Sequence, residues 1–192
     1  MVAFEPTGNA PAPPSLLSTG MGLVQLRPLA ESDVDSIMTW VNRPEIVGNL
    51  AAFAGEPMTR DDELAWIRRT LAGPDRVWSI VGGDGRYLGQ IGIHQIHARS
   101  RVGRLGCVIA SRDEMGKGYG SAAVCAVADR AFGELALHKL WLMVFARNDR
   151  GRRLYGKLGF VEEGVLREEY FHDGAWHDMV RMGLLAREHA PS

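Results

Sequence analysis

The sequence Met115-Gly116-Lys117-Gly118-Tyr119-Gly120-Ser121 lies between two apolar segments of different pattern. The apolar run at 105–110 before it predicts a buried strand, and the alanine-rich run at 121–132 after it predicts a helix that packs on a sheet. Glycine lets a backbone approach a ligand closely, and the first N–H groups of a helix have no acceptor within the helix. A strand, a glycine-rich turn and a helix start therefore predict a site for an anion such as a phosphate group.

Two familiar phosphate-binding loops do not fit this stretch. A Walker loop ends in Lys followed by Ser or Thr, whereas Lys117 is followed by Gly118. A Rossmann turn has the spacing Gly-x-Gly-x-x-Gly at the start of a βαβ unit, with an acidic residue about 20 positions on, and that spacing is absent. Glycines at alternate positions also occur in plain turns, so the ligand has to be identified from other parts of the chain.

The bulk composition excludes several classes of protein. The chain has 192 residues, enough for one domain, and a formal net charge of −1, which argues against a nucleic-acid binder with a basic face. Its cysteines, Cys107 and Cys125, lie in a predicted strand and a predicted helix, as reduced core residues do. The sequence has no apolar run of about 18 residues, no secretory signal and no zinc-ligand spacing. We therefore expect a cytoplasmic protein that binds no nucleic acid, membrane or metal.

Patterning along the rest of the chain predicts one folded domain behind a short tail. Residues 1–20 are rich in proline and have little apolar periodicity, so we expect a flexible tail, followed by a domain over 21–188. Ser32 and Thr59 are suited to begin helices, and Pro44 to end the first of them. The element order βααβββαβαββ predicts the α/β (α+β) class, with a mixed, mostly antiparallel sheet of seven strands and helices on both faces. The predicted strands are 23–28, 77–81, 87–97, 105–110, 139–145, 160–171 and 176–184, and the predicted helices are 32–43, 59–72, 121–132 and 149–158.

A second motif follows the strand predicted at 139–145. It consists of an asparagine, a tyrosine seven residues later and a Gly-Phe pair. Together with the glycine-rich turn before the preceding helix, this pattern resembles the GNAT superfamily of acyl-CoA-dependent N-acetyltransferases. The resemblance extends over 23–185, includes the order of the elements, and implies a single GNAT-like domain. The matching residues are Gly118, Gly120, Asn148, Tyr155, Gly159 and Phe160.

The resemblance implies that the anion is the pyrophosphate of acetyl-CoA, held by the backbone amides of 116–121. The strand edge at 107–109 would pair with the pantetheine amides, and Asn148 would hydrogen-bond the pantetheine arm. Arg152 and Arg153 are candidates for contacts to the phosphates of CoA, or are ordinary exposed arginines. The implied cofactor-binding residues are Cys107, Val108, Ile109, Met115, Gly116, Lys117, Gly118, Tyr119, Gly120, Ser121 and Asn148.

The reaction implied by the resemblance is a direct attack of a primary amine on the thioester in a ternary complex, without a covalent enzyme intermediate. The amine must first lose a proton, because the pKa of a lysine-like ammonium is about 10.4. The developing oxyanion needs positioned donors, and the departing thiolate needs an acid. Tyr155 would lie near the sulfur and act as this catalytic acid, so neither cysteine needs a nucleophilic role.

Two positions depart from the family pattern. Met115 stands where relatives usually have Arg or Gln, which predicts weaker binding of CoA through this side chain, while the backbone amides are unaffected. Arg104 stands where many relatives have the Glu that serves as general base through water. The identity of the base is therefore open, with a water chain to bulk solvent as one alternative. The candidate side chains are His94, His97, Glu168 and Asp178.

The acceptor amine is also open. Residues 163–178, together with 42–45, are similar to the branch that contains ribosomal-protein N-terminal, spermidine and amino-sugar acetyltransferases. The resemblance implies an acceptor pocket shaped by the loop at 47–58 and by the last hairpin at 168–176. A peptide N-terminus, a polyamine and an amino sugar all fit. The candidate substrate-binding residues are Glu56, His94, Glu168 and Phe171.

The same residues allow two alternatives to an acetyltransferase. A GNAT fold without catalytic activity could sense CoA, which the residues at Met115 and Arg104 would permit. An enzyme that uses a longer acyl-CoA would need a roomier pocket beyond the thioester. The resemblance also points to a homodimer.

Overall fold

The computed structural model describes residues 17–18, 23–50 and 57–191. Its strands are β1 (Leu17–Ser18), β2 (Val24–Pro28), β3 (Arg76–Gly82), β4 (Tyr87–His97), β5 (Val102–Ile109), β6 (Lys139–Phe145), β7 (Val161–His172) and β8 (Ala175–Leu185). Its helices are α1 (Val34–Met38), α2 (Pro44–Val47), α3 (Arg60–Ala72), α4 (Tyr119–Phe132) and α5 (Asp149–Lys157). Within these described ranges, no helix is both long and apolar enough to cross a membrane.

The strands form one mixed sheet in the order β1-β2-β3-β4-β5-β6-β8-β7. All neighbours are antiparallel except β5 and β6, which are parallel. The predicted fold class and the seven predicted strands are confirmed. The additional strand β1 lies inside the predicted tail and pairs Leu17 with Leu26 at the edge of the sheet, so the tail prediction was too long at these two residues. The rest of 1–20 lies outside the described residues.

Helices α4 and α5 cover one face of the sheet and enclose a first apolar core there. The side chains of Leu140, Leu142 and Val144 alternate along β6 and point toward these helices. Each of them is almost completely buried, which stabilises the fold by about 1.5–3 kcal/mol per side chain. Small side chains let α4 lie close to the strands, and its buried alanines are Ala122, Ala123, Ala126, Ala128 and Ala131.

Helices α1 to α3 cover the opposite face. A second apolar core forms there around Ile37, Trp40 and Ile67, none of which exposes any surface. Strands β3 and β5 contribute Val77 and Val108 to the same core. The prediction of helices on both faces is therefore confirmed, with α4 and α5 on the first-core face and α1 to α3 on the second-core face.

The helix boundaries on the second-core face differ in part from the prediction. Thr59 begins α3 as predicted, because its side chain accepts a hydrogen bond from the Asp62 amide. Pro44 was predicted to end a helix but instead begins α2, where the missing proline N–H leaves no hydrogen bond unmade. Ser32 was predicted to cap the first helix, but it lies within a short 3₁₀ turn before α1. The Ala30 amide ahead of this turn donates to the Asp33 carboxylate.

Strands β5 and β6 pair over only the first part of their length and then separate. Their parallel pairing runs from Val102 beside Lys139 to Arg104 beside Trp141 and then stops. However, β5 continues to Ile109 and β6 to Phe145. Among the described strands none pairs with the β6-facing edge of 105–109, and this open edge lies a few residues before the glycine-rich loop ahead of α4.

Candidate active site

Two glycines of the glycine-rich loop adopt a backbone conformation that other residues rarely take. Gly116 and Gly118 have φ of +88° and +89°, the left-handed region in which a side chain is strained. Gly118 is the N-cap of α4, and no side chain of the described residues caps this helix. The first bond of the helix runs from the Ala122 amide to the Gly118 carbonyl at 3.0 Å. Within the described part of the chain, the amides of 116–121 form no backbone hydrogen bond and are free to bind an anion.

One arginine reaches this loop from across the opening between β5 and β6. Arg150 lies in the first turn of α5, and its Nη2 is 3.3 Å from the position that a Cβ on Gly116 would occupy. Arg150 is exposed and forms no ion pair within the described part of the chain. A guanidinium that is not paired beside an anion-binding turn suits a phosphate group.

Two other basic residues near the opening, Lys117 and Arg152, are engaged with carboxylates. Lys117 contacts Glu114 at 3.0 Å, and hydrogen bonds from Lys117 and Arg86 lower the pKa of the Glu114 carboxyl. Arg152, which the sequence suggested as a phosphate contact, donates to Glu162 at 2.8 Å. Sequence reasoning missed Arg150, although its position two residues after Asn148 could have indicated it.

Met115 does not face the anion site with its side chain. Its side chain packs on the second core. Val108 is buried in this core, and Tyr87 also packs against it. The amide of Met115 is used as well, because it donates to the Arg112 carbonyl at 3.1 Å. Neither the side chain nor the amide of Met115 is therefore available to the predicted anion. The predicted contacts at the loop would come from the backbone amides of 116–121.

Residues on the open edge of β5 alternate between the two cores: Cys107 faces the first core and Val108 the second. Cys107 packs against the first core, and burial raises the pKa of its thiol to about 12. The thiol is therefore neutral at physiological pH and is a poor nucleophile. This agrees with the structural role that the sequence predicted for Cys107.

Tyr155 lies on α5 beside this edge. Its ring packs against the first core and meets Phe160 edge-on, with the ring centroids 5.7 Å apart. Burial raises the pKa of the Tyr155 phenol, and the nearby Cys107 raises it further. The phenol therefore keeps its proton over the whole physiological range and can donate it at this edge.

Asn148 connects β6 to α5. Its Oδ1 accepts a hydrogen bond from the Gly151 amide at 2.9 Å and so caps α5. A Cβ on Gly151 would lie 2.9 Å from Asn148 Nδ2, so glycine leaves room for the asparagine side chain. Because Oδ1 is engaged in the cap, the amide Nδ2 is the part of Asn148 that suits a ligand.

The predicted base candidates lie in separate places. His94 Nδ1 is 2.8 Å from Asp75 Oδ2 on the second-core side of the sheet. His97 lies beyond a bulge in β4, is exposed, and accepts a hydrogen bond from the Ser100 amide at 3.0 Å. The structure therefore does not bring the two histidines together.

The other predicted acceptor residues lie on the β7–β8 hairpin. The Glu168 amide donates to Asp178 Oδ1 at 2.8 Å, and both residues line an open groove of about 670 Å³. Phe171 packs on Trp176, with ring centroids 5.1 Å apart, and more than half of its surface is exposed. Glu56 lies outside the described residues.

A cluster that the sequence did not predict connects the hairpin with the loop after α2. The ring of Phe145 at the end of β6 is contacted by Tyr170, His172 and His177. Arg147 lies 4.5 Å above the same ring and donates to the Gly48 carbonyl at 3.2 Å. The signal for this cluster was weak, because its members come from three separate parts of the sequence. The cluster thus connects Gly48, in the first part of the loop at 47–58, with the last hairpin.

The described residues contain no group of three or more His, Cys, Asp or Glu side chains arranged to bind a metal. The opening between β5 and β6 instead presents backbone amides, a protonated tyrosine and an arginine. This donor set fits an elongated ligand with amide groups and a phosphate end. A strand edge for amides and a helix start for phosphates match the two halves of acetyl-CoA.

Comparison with known proteins agrees with this geometry. A family model described as an acetyltransferase (GNAT) domain matches residues 24–161. The chain belongs to the GNAT acetyltransferase family. It is an acyltransferase that uses acetyl-CoA, and its single domain is the GNAT domain that the sequence resemblance predicted.

Individual relatives of this GNAT acetyltransferase cover most of its length. The Bacillus subtilis protein YdaF, by its name a candidate ribosomal N-acetyltransferase, is 28% identical over 170 residues, which is 86% of this chain and 92% of the relative. The crystal structure of spermidine N-acetyltransferase from Vibrio cholerae with CoA and spermine matches with a TM-score of 0.79 and 27% identity, covering 86% of this chain and 97% of that one. A structure described as dodecameric, of spermidine N-acetyltransferase from the same organism, matches with a TM-score of 0.74 and 26% identity, covering 85% and 94%.

Proposed function

We propose that this GNAT enzyme transfers the acetyl group of acetyl-CoA to a primary amine by direct attack in a ternary complex, with Tyr155 as general acid. The observation that carries the proposal is the opening between β5 and β6. The glycine loop lies at its end, and Tyr155 lies beside Cys107 at its edge. The glycine loop suits the phosphate end of the cosubstrate, and Tyr155 beside Cys107 suits its thioester end. The open edge of β5 connects the two.

The cofactor-binding residues are proposed from this geometry. Amides of 116–121 hold the pyrophosphate, and Arg150 adds a positive charge from α5. The edge of 107–109 pairs with the pantetheine amides, and Asn148 Nδ2 donates to the same arm. Binding along a strand edge fixes the thioester relative to Tyr155.

The reaction exchanges one bond for another without a covalent enzyme intermediate. The amine nitrogen forms a bond to the thioester carbonyl carbon, and the carbon–sulfur bond breaks. The proton of the attacking amine leaves to a base, while Tyr155 delivers its own proton to the departing sulfur. Because burial raises the pKa of Tyr155, the phenol carries this proton before the reaction begins.

The acceptor is proposed to be a primary amine that arrives as a cation. The groove beside the last hairpin is lined by three carboxylates, those of Glu168, Glu169 and Asp178, and by one guanidinium, that of Arg167, so the negative charge that attracts cations is in excess. A peptide N-terminus, a polyamine and an amino sugar share this property, and the relatives compared above are named for the first two. We therefore expect activity on one of these three classes.

The test is the release of CoA thiol from acetyl-CoA in the presence of peptides, polyamines, amino sugars and aminoglycosides. Turnover on one class identifies the acceptor, and a series of longer acyl-CoA substrates tests the preference for acetyl. Replacing Tyr155 with Phe is expected to lower kcat about 10²-fold with little change in the KM for acetyl-CoA. Wild-type turnover in Tyr155→Phe would remove Tyr155 from the mechanism.

Self-association into a homodimer, expected from the resemblance, is part of the proposal. Apolar side chains on the last hairpin support it, since Val165, Phe171 and Trp176 expose 56%, 53% and 61% of their surface. Sedimentation velocity measures the state directly. Replacing Trp176 with Ser is expected to shift a dimer toward monomer, and a wild-type monomer at micromolar concentration would contradict the expectation.

A further inference from the structure

We propose that the paired side chains of Asp75 and His94 are the general base of the reaction, with His94 Nε2 taking the proton of the acceptor amine and Asp75 positioning the ring. The inference depends on the amine acetylation proposed above. It assigns the step for which the sequence left several candidates open. Four features of the structure support it.

The first feature is the way the carboxylate is held. Asp75 Oδ2 lies 2.8 Å from His94 Nδ1, and Asp75 Oδ1 accepts a hydrogen bond from the Gln95 amide at 3.1 Å. Both oxygens therefore contact β4, and the ring cannot turn without breaking the pair. A carboxylate beside Nδ1 places the proton of the neutral ring on Nδ1, which leaves the lone pair on Nε2.

The second feature is the freedom of Nε2. No residue among 17–18, 23–50 and 57–191 forms a hydrogen bond to this nitrogen. The side chain of His94 exposes 20% of its surface, so the ring is largely enclosed but reachable. A half-enclosed imidazole with one nitrogen anchored and the other free has the form of a general base.

The third feature is the floor on which the ring lies. Gly92 and Gly106 are directly paired across β4 and β5. A Cβ on Gly92 would lie 2.8 Å from His94 Nε2, and a Cβ on Gly106 would lie 3.6 Å from it. A side chain at Gly92 would displace the ring, so this glycine is what allows the imidazole to lie flat over the strands.

The fourth feature is the location of this floor. Gly106 belongs to the part of β5 that has parted from β6, and it precedes Cys107. The ring lies on the second-core side, because a Cβ on Gly92 would also meet Val77 there. Tyr155 packs on the opposite, first-core side. Base and acid thus face the same strand segment from opposite sides, one for the entering amine and the other for the departing sulfur.

Arg104 explains why the base is not found in its family position. It is the cross-strand partner of His94, on the same face of the sheet. A guanidinium stays protonated in proteins and cannot accept a proton from an amine. The residue beside it can, since neutral imidazole takes one proton at Nε2 and the resulting imidazolium is stabilised by Asp75. After the reaction His94 returns this proton to solvent.

Replacing His94 with Gln tests the base and keeps a group that can hydrogen-bond Asp75. With the acceptor identified by the thiol-release panel, kcat is expected to fall about 10²-fold, while the KM for acetyl-CoA stays within about two-fold. The matched control is His97→Gln on the same strand, which is expected to keep wild-type kcat. In His94→Ala, added imidazole is expected to restore activity, with no gain in wild type or His97→Gln.

Asp75→Asn tests the positioning role. Its loss in kcat is expected to be about 10-fold, to resist imidazole, and to disappear when it is combined with His94→Gln, because both residues act through one proton transfer. Wild-type kcat in His94→Gln, additive losses in the double variant, or failure of imidazole to restore a folded His94→Ala would each overturn the proposal. Wild-type enzyme that is silent with every amine would instead overturn the proposed function on which it depends.

Discussion

The Asp33 carboxylate is a buried charge that accepts several hydrogen bonds on the second-core face. It is 2% exposed and accepts hydrogen bonds from Arg27 Nη1 at 2.8 Å, Ser79 Oγ at 2.7 Å and the Ala30 amide at 3.0 Å. Burial by itself would raise the pKa of this carboxyl, but the bonds from Arg27, Ser79 and Ala30 outweigh it and lower the pKa below the ordinary value. Asp33 thus ties β2 and β3 to the start of α1.

Replacing Asp33 with Asn is expected to lower the free energy of unfolding by about 2 kcal/mol, because it leaves the Arg27 charge without its partner. Since the folded pKa of Asp33 lies below its unfolded value of about 3.9, its contribution is complete above that pH and is lost as pH falls through the folded pKa. Urea unfolding at several pH values measures both effects. The exposed Asp35, paired with Arg60, is the control, and a loss in Asp35→Asn as large as in Asp33→Asn would contradict the argument.

Cys107 is expected to be replaceable. Because burial raises the pKa of its thiol to about 12, almost no thiolate is present at physiological pH. We expect Cys107→Ala to keep kcat within about three-fold, since the backbone edge and not the thiol binds the cosubstrate. Mass spectrometry after incubation with acetyl-CoA should find no acetylated cysteine in the wild-type protein. A stable acetyl adduct on Cys107 that forms and decays at the rate of turnover would show that this reasoning is wrong.

At the scale of the elements, the loop ahead of α4 depends on left-handed glycine. Gly118→Ala forces a side chain into φ of +89° and is expected to cost about 1–2 kcal/mol and to raise the KM for acetyl-CoA. Gly156→Ala in α5 is the matched control, because nothing lies within 4 Å of its Cβ position and its φ is not positive. The control should stabilise the protein by about 0.5–1 kcal/mol without changing the KM. Equal effects of the two changes, by thermal unfolding and kinetics, would contradict the role of the loop.

The start of α5 should contribute to binding of the cosubstrate through Arg150. Arg150→Ala is expected to raise the KM for acetyl-CoA about five-fold and to leave kcat nearly unchanged, since it removes a charge from the phosphate end only. Arg153→Ala, an exposed arginine one turn further along the same helix, is the control. The difference between the two variants should shrink at high salt. If Arg153→Ala raises the KM as much as Arg150→Ala, the contact of Arg150 with the loop has no role in binding.

At the scale of the whole molecule, the separation of β5 from β6 predicts which backbone amides exchange more slowly when CoA binds. Amides of 105–109 on the open edge of β5 pair with no described strand on the β6 side, so they should exchange with deuterium readily in the free protein. Addition of CoA is expected to slow exchange at 105–109 and at 116–121, because ligand groups then pair with these amides. The outer strand β7 is the internal control. Unchanged exchange at β5 with saturating CoA would place the ligand elsewhere.

Much of the architecture could be predicted from local pattern. The strands predicted at 87–97 and 139–145 agree with β4 and β6 to the residue, because alternating or continuous apolar runs bounded by turns specify strands strongly. The second predicted helix, which begins after Thr59, was also correct, and the predicted glycine-rich turn lies directly before α4. Pro44 was misjudged because the same ring that ends one helix is equally suited to begin the next.

The candidate active site also combines features that local sequence predicts with features that depend on strand pairing. Local pattern predicted the glycine-rich turn between a strand and a helix, because such a turn depends on neighbours within one loop, while the roles proposed for Asn148 and Tyr155 came from the family resemblance. The sequence by itself could not show that β5 and β6 separate after Arg104 and Trp141, nor that Asp75 meets His94 across 19 residues. Those features depend on which strands pair and in which register, and only the tertiary structure decides this, because a strand's hydrogen-bond partners come from distant parts of the chain.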